Sequence, residues 1–248
     1  MSKKFTYYGG VQAGLLPYLT AYWTADNIPT DVYTNNLGGA PSGGLSYNTG
    51  INGQAFDFLS GNQQAYIQVP DNDLLSFTDG VNDVPFTINM WTYYYVKNTA
   101  AGNWLFNKRL TGVLDEYQFV YARSLNAVIF DKISQGSNSN RVRTQSSVAP
   151  ALSTWEMWTI SSDGTKFGEK IYRNGVDVTA SSTETGTYVK MINTSAHVRM
   201  AAGGWTTSGS LKHRGRIDEV SLFNGTELTP TEITDLYNGG VGKFYPNI

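Results

Sequence analysis

From Tyr18 onward the chain is a succession of short runs in which apolar and polar residues alternate, separated by residues that favour turns. A period of two, rather than 3.6, predicts strands. The longest run, "PFTINMWTYYYV" (85–96), puts Phe86, Ile88, Met90, Thr92, Tyr94 and Val96 on one face. Thr87, Asn89, Trp91, Tyr93 and Tyr95 fall on the other. "AFDFL" and "AYIQV" flank "SGNQQ" and predict a hairpin over 55–69, and "YQFVYA" and "NAVIFDKI" predict two more strands. "SQGSNSNRVRTQSS" (134–147) predicts a loop with a short edge strand. "WEMWTISSDG" and "EKIYRNGVDV" follow; the second contains Asn174-Gly175, suited to a type I′ hairpin because both positions tolerate positive φ.

One segment breaks the period. In "LTPTEITDLYNGG", Thr229 suits an N-cap, Pro230 the first helical position and Glu232 the reciprocal arm of a capping box. Leu228 and Ile233 are placed for a hydrophobic staple, and Gly239 or Gly240 for the stop. So short a helix needs docking on other elements to persist. Residues 1–16 show no periodicity and read as an N-terminal arm, a candidate anchor; no linker divides 17–248, which reads as one domain.

Composition narrows the picture. With 16 Tyr, 11 Phe, 6 Trp and 26 Gly against 15% charged residues, strand formers punctuated by turn formers suggest an all-β sandwich. The 18 basic and 20 acidic residues, a net of -2, argue against nucleic acid or an anionic membrane as the main partner. No apolar run approaches the ~20 residues that span a bilayer, and "MSKKFTYYGG" lacks the apolar core of a signal peptide. Absence of cysteine removes disulfides, thiolate metal sites and cysteine nucleophiles. Of the two histidines, His197 reads as an outward strand residue and His213 as part of a basic loop.

The order of "LTAYWTAD", "GINGQAFDFLSGNQQAYIQVPDND", "PFTINMWTYY", "LSTWEMWTISSDGTK", "KIYRNGVDV" and "GRIDEVSLFNGTELTPTEITDLYNGGVGKFYP" resembles the laminin-G-like, concanavalin-A-like jelly-roll superfamily. The likeness is to the variety found in bacterial and phage virion proteins, and it runs from about residue 15 to 246. It implies a two-sheet antiparallel jelly roll with one short C-terminal α-helix. It leaves function open among lectins, adhesion modules and glycosidases.

Glycosidases need two carboxyl groups facing one cleft. Asp218 and Glu219 are adjacent in "GRIDEV", so alternation sends them to opposite faces unless the strand bulges. Asp115 and Glu116 fail likewise, Asp71 and Asp73 sit in a turn-like stretch, and no nucleophile motif is present. A glycoside hydrolase is therefore the least favoured function. Calcium suits loops rich in oxygen ligands, and the resemblance brings the strand of Asp218 near that ending in Asp26, making these two the candidate ligands of a structural calcium. The bland alternatives are an Asp218–Arg216 pair and an Asx turn at Asp26.

Tyrosine and tryptophan faces stack on the apolar faces of sugar rings. Trp91, Tyr93 and Tyr95 form a stripe to which Trp158 could add, and Trp205 stands in a Gly-rich loop, where it would serve a glycan or a homo-oligomer contact. A sandwich of this size also needs aromatic core. The expected function is a non-catalytic binding or display module. Its expected setting is the surface of a phage virion (capsid decoration, head fibre or tail component), made in the host cytoplasm, with surface glycans and a capsid or tail protein as partners. A soluble lectin-like module of a bacterial protein is the alternative.

Overall fold

The apolar half of each alternating run faces inward, and two eight-stranded sheets, antiparallel in every strand pairing, close on it. The computed structural model describes residues 14–33, 37–59, 65–97, 102–110, 113–136, 138–203 and 212–248. The first sheet runs, in spatial order, β13 (Val176–Asp177), β12 (Glu169–Arg173), β11 (Trp155–Ser162), β6 (Phe86–Tyr94), β16 (Gly215–Asn224), β4 (Gln54–Asp57) and β3 (Ser46–Thr49). Its eighth strand, β1 (Ala21–Trp23), pairs with the far part of β16. The second sheet runs β14 (Thr179–Thr185), β10 (Arg141–Ser146), β9 (Ala127–Gly136), β8 (Leu114–Ala122), β7 (Gly102–Leu110), β15 (Val198–Met200), β5 (Tyr66–Val69) and β2 (Ala40–Ser42).

Phe86, Ile88, Met90 and Tyr94 of β6 meet Phe106, Tyr117, Phe119 and Phe130 of the second sheet in the main core. Phe77 stacks on Phe86 with ring centroids 4.1 Å apart. Charge is buried in the sandwich as well. Lys132 of β9 reaches Glu169 of β12 at 2.7 Å and Asp83 at 3.1 Å, which ties the two sheets together. Lys108 of β7 pairs with Glu116 at 3.0 Å and Asp71 at 2.9 Å.

The outer face of the first sheet is half covered. The helix α1 (Pro230–Tyr237) lays Ile233 and Leu236 over Trp91, Met157, Tyr172 and Phe223, joined by Leu15, Leu19 and Ile248. The expected capping box is formed: Thr229 Oγ1 accepts from Glu232 N, and Thr229 N donates to Glu232 Oε2 at 2.8 Å. Leu228 is buried in the same cluster as Ile233, as a staple requires. Asn238 (φ 47°), rather than a glycine, takes the left-handed C-cap. Asn174 (φ 53°) and Gly175 (φ 79°) form the expected β12–β13 turn.

Two local expectations are overturned. The runs over 55–69 are not a hairpin, because β4 and β5 lie in different sheets, and alternation does not say which sheet a strand joins. The stretch 134–147 supplies β10, which sits inside the second sheet between β9 and β14 rather than at its edge. His213 does lie in the non-strand stretch 212–214 just before β16, but it is fully buried, its ring centroid 4.7 Å from that of Tyr94, and burial pushes its pKa down to about 4. Of the N-terminal arm, residues 1–13 lie outside the described residues; Leu15 N donates to Ile248 O at 3.0 Å, so the described chain ends meet beside α1. No helix among the described residues is long and apolar enough to cross a membrane.

Candidate functional site

Beyond the cover of α1, the outer face of the first sheet carries a row of side chains set directly opposite one another. Strand register aligns Trp155 of β11, Tyr93 of β6, Arg216 of β16, Asp57 of β4 and Ser46 of β3. Directly opposed side chains on one face of a sheet lie close enough to interact. Tyr93 and Trp155 meet edge-on with ring centroids 5.6 Å apart, and Tyr93 and Tyr95 do so at 5.4 Å. The Arg216 guanidinium carbon lies 4.9 Å from the Tyr93 centroid and 5.2 Å from that of Tyr95, within cation–π range.

Hydrogen bonds hold this group in place. Arg216 Nε donates to Tyr95 Oη at 2.5 Å and its Nη1 to Thr49 O at 2.7 Å. Tyr95 Oη donates to Asp57 Oδ2 at 3.1 Å, which also accepts from Asn48 Nδ2 at 3.1 Å. Burial, partly offset by Arg216, raises the Tyr95 pKa, so its hydroxyl stays protonated and able to donate. Gly215 permits the close strand approach here, since a Cβ at that position would overlap Tyr93 O. The result is a half-exposed aromatic surface with a cation, a carboxylate and an amide fixed at its edge.

This placement keeps Tyr93 and Tyr95 from the expected stripe and removes two other members. Trp91, 2% exposed, is stacked against Tyr237 at 5.7 Å and flanked by Phe244, so the chain's own helix and tail occupy its ring face. Trp158, 0% exposed, lies opposite Met90 and points into the core. Trp155 is the β11 tryptophan on the outer face. Trp205 lies outside the described residues. Arg216 and Asp57 had no local signal; they lie far from Tyr93 in sequence and join it only through sheet register.

A second cluster surrounds the turn that precedes β4. The bulge that alternation left open is present: register shifts between Asp218 and Ser221, and Glu219 adopts φ 50°. Asp218 and Glu219 therefore do not separate to opposite faces; both reach Asn52. Asp218 Oδ2 accepts from Ile51 N at 2.8 Å and Asn52 N at 3.3 Å, while Glu219 Oε1 accepts from Asn52 Nδ2 at 2.9 Å. Asp26 Oδ1 accepts from Gln54 N at 2.8 Å. Gly50 and Gly53 make the turn fit, because a Cβ on either would overlap a carboxylate oxygen of Asp218 or Asp26. The expected Asp26–Asp218 juxtaposition thus takes the form of two carboxylates gripping one turn, and Arg216 does not pair with Asp218.

Burial, with the neighbouring Glu219 charge, pushes the Asp218 pKa up to about 9, and burial pushes Glu219 up to about 7. Gln54 Oε1 is buried without a hydrogen-bond partner, and Glu219 Oε2 lacks one of good geometry, although the Tyr22 hydroxyl lies close enough to Glu219 to lower its pKa. Among the described residues no three acidic or histidine side chains converge on one point, so a cation here would also need amide and backbone carbonyl oxygens. Hard oxygen donors with unpaired buried acceptors suit calcium in kind.

Against known proteins, residues 60–234 match a family model described as the concanavalin A-like lectin/glucanases superfamily. No curated protein matches the sequence. Among solved structures, the chain is similar to domain 4 of AbnA, a GH43 extracellular arabinanase from Geobacillus stearothermophilus, in complex with arabinotriose: 19% identity, 91% of this chain and 98% of that one, TM-score 0.58. It is also similar to the binding domain of Paraclostridial Mosquitocidal Protein 1: 15% identity, 92% and 53% coverage, TM-score 0.69. A structure of botulinum neurotoxin type C, whose cell entry depends on interaction with two ganglioside molecules, matches at 15% identity, 91% and 52% coverage and TM-score 0.64. The chain spans about half the length of the two toxin chains. At these identities the likeness is one of fold.

Proposed function

Because the chain belongs to the concanavalin A-like lectin/glucanases superfamily, we propose that it is a non-catalytic carbohydrate-binding module whose platform is Tyr93, Tyr95 and Trp155. The observation that carries this is the aligned row of Trp155, Tyr93, Arg216 and Asp57 on an uncovered sheet face. Aromatic faces take the apolar side of a pyranose or furanose ring, and Arg216 and Asn48 supply directional hydrogen bonds to its hydroxyls, with Asp57 holding Asn48 and Tyr95 in place. Arabinotriose and gangliosides, named with the similar proteins, are ligands of that chemical class. A catalytic use of Asp218 and Glu219 is disfavoured because both are buried and engaged with the turn.

The test is a glycan array followed by titration of the strongest ligand. Tyr93→Ala and Arg216→Ala are each expected to weaken binding by about 10- to 30-fold, as loss of a central aromatic or arginine anchor does. An intact protein that binds no glycan, or variants that bind as well as the parent, would end the proposal.

The reading includes a structural calcium held by Glu219 Oε2, Gln54 Oε1 and oxygens of the adjoining turn, with Asp26 and Asp218 shaping that turn. When bound, the ion would supply positive charge to a buried acidic cluster that forms no ion pair among the described residues.

For setting, we propose display on a phage particle, with the N-terminal residues anchoring the module to a capsid or tail protein. Support comes from the ending "LYNGGVGKFYP", which resembles virion-borne versions, and from the described chain ends meeting beside α1. Deleting residues 2–14 is expected to abolish incorporation into particles in a complementation assay while leaving the sandwich folded. Undiminished incorporation would rule this anchor out.

A further inference from the structure

The basic run "KHRGR" (212–216) leads into β16 beside the aromatic row. Alternation divides it. His213 turns inward, edge-on to Tyr94 and Phe58. Arg214 and Arg216, on either side of Gly215, therefore share the outer face with Tyr93 and Tyr95. Arg214 O accepts from Tyr95 N at 3.0 Å, so the ladder continues one step past the Arg216–Tyr93 pair and sets Arg214 opposite Tyr95. Both arginines are partly exposed, as are Tyr93, Tyr95 and Trp155.

Neither arginine forms an ion pair among the described residues. Arg216 is held by neutral oxygens, Nε by Tyr95 Oη and Nη1 by Thr49 O, which leaves Nη2 at the surface without a protein acceptor. Arg214 is held by less. No described residue accepts from its side chain, and its Nε is buried in that state.

The carboxylate aligned with them, Asp57, is already engaged. It is 7% exposed; its Oδ1 accepts from Leu59 N at 3.0 Å, and its Oδ2 from Tyr95 Oη and Asn48 Nδ2. A ligand on this face therefore meets two guanidinium groups and one occupied carboxylate, although the chain as a whole carries -2. Residues two apart on a strand stand about 7 Å from each other, so two arginine side chains can converge on one charged substituent. A buried donor without an acceptor is costly, and the guanidinium fork is matched by the oxygens of a carboxylate or a sulfate.

We propose that Arg214 and Arg216 make the aromatic row selective for acidic saccharides. The sugar ring lies on Tyr93, Tyr95 and Trp155, and its carboxylate or sulfate group is taken by the Arg214 guanidinium and Arg216 Nη2. This rests on the carbohydrate-binding reading and adds to it the charge class of the ligand and a residue, Arg214, that the reading does not use. The preference weakens with salt, because the pairs form at the surface.

The experiment titrates the full chain with polygalacturonate and its methyl ester, and with dextran sulfate and dextran, at low and moderate salt. Within each pair the ring and linkage are the same and the charge differs. At least one acidic polymer is expected to bind more tightly than its neutral counterpart. Arg214→Met is expected to lower that preference about 5- to 10-fold, the loss of one charge-assisted pair. Arg214→Lys, which keeps the charge but not the fork, should retain part of it. Lys170→Met, which removes one exposed charge level with Thr87 at the opposite end of β6, should leave the preference as it was. Comparing the two pairs separates carboxylate from sulfate recognition. Acidic polymers bound no better than neutral ones, a preference untouched by Arg214→Met, or an equal loss in Lys170→Met overturns the inference. If neutral glycans bind and acidic ones gain nothing, this inference alone falls; if no glycan binds, the carbohydrate reading falls with it. Should Arg214→Met fail to fold, Arg214→Gln makes the same comparison.

Discussion

Lys132→Met is expected to lower the unfolding free energy by about 3–5 kcal/mol, the usual cost of removing one partner from a buried ion pair. Lys132 is fully buried and reaches Glu169 on the facing sheet and Asp83, so the substitution strands two carboxylates in the core. Burial already raises the Glu169 pKa even with the lysine charge pulling it down. Without that charge the folded-state pKa rises further above its unfolded value. A raised carboxyl pKa contributes stability that is present below the unfolded pKa and lost as pH rises through the folded one. The deficit of Lys132→Met is therefore expected to widen from pH 5 to pH 8 in urea unfolding. Adding Glu169→Gln should recover part of it, because one of the two stranded carboxylates is then gone and Asp83 keeps its hydrogen bonds from Tyr188 Oη and Met191 N. Equal stability of Lys132→Met and the parent at pH 8 would show that the lysine only offsets its own desolvation.

Calcium is expected to give the next largest change. If the turn at 50–54 and Glu219 hold the ion, calcium at a hundred times its Kd adds about 2.7 kcal/mol. For a domain of this size that corresponds to a Tm about 5–10 °C higher than in chelator. Glu219→Gln, which keeps the hydrogen bond from Asn52 but removes the anionic oxygen, should abolish the calcium-dependent part. A Tm that is the same in calcium and in chelator would leave Asp26 and Asp218 as turn-holding residues only.

The fold was largely legible because alternation and capping are local. The period of two in 85–96 separated the core residues of β6 from Trp91, Tyr93 and Tyr95, and Thr229 with Glu232 announced the helix start. The site was legible by halves. Period alone says that Trp155 and Trp158 face opposite ways; it does not say which of the two faces is inward. That is decided by the strand opposite, where Trp158 meets core-facing Met90 and Trp155 meets Tyr93. Likewise Trp91 shares a face with Tyr93, but the distant segments 230–248 fold over one and not the other.

The acidic pair shows the same division. Alternation separated Asp218 from Glu219, and the bulge at Glu219 cancelled the separation by adding one residue to the strand. Local sequence determined the strands, the faces of most residues, the helix and the glycines that let two carboxylates close on a turn. Only the tertiary structure decided which strands lie side by side. It thereby brought Arg216 and Asp57 to the tyrosines. The physical reason is range: backbone sterics and side-chain alternation act over a few residues, whereas sheet register also joins segments far apart in the chain, such as β4 and β16.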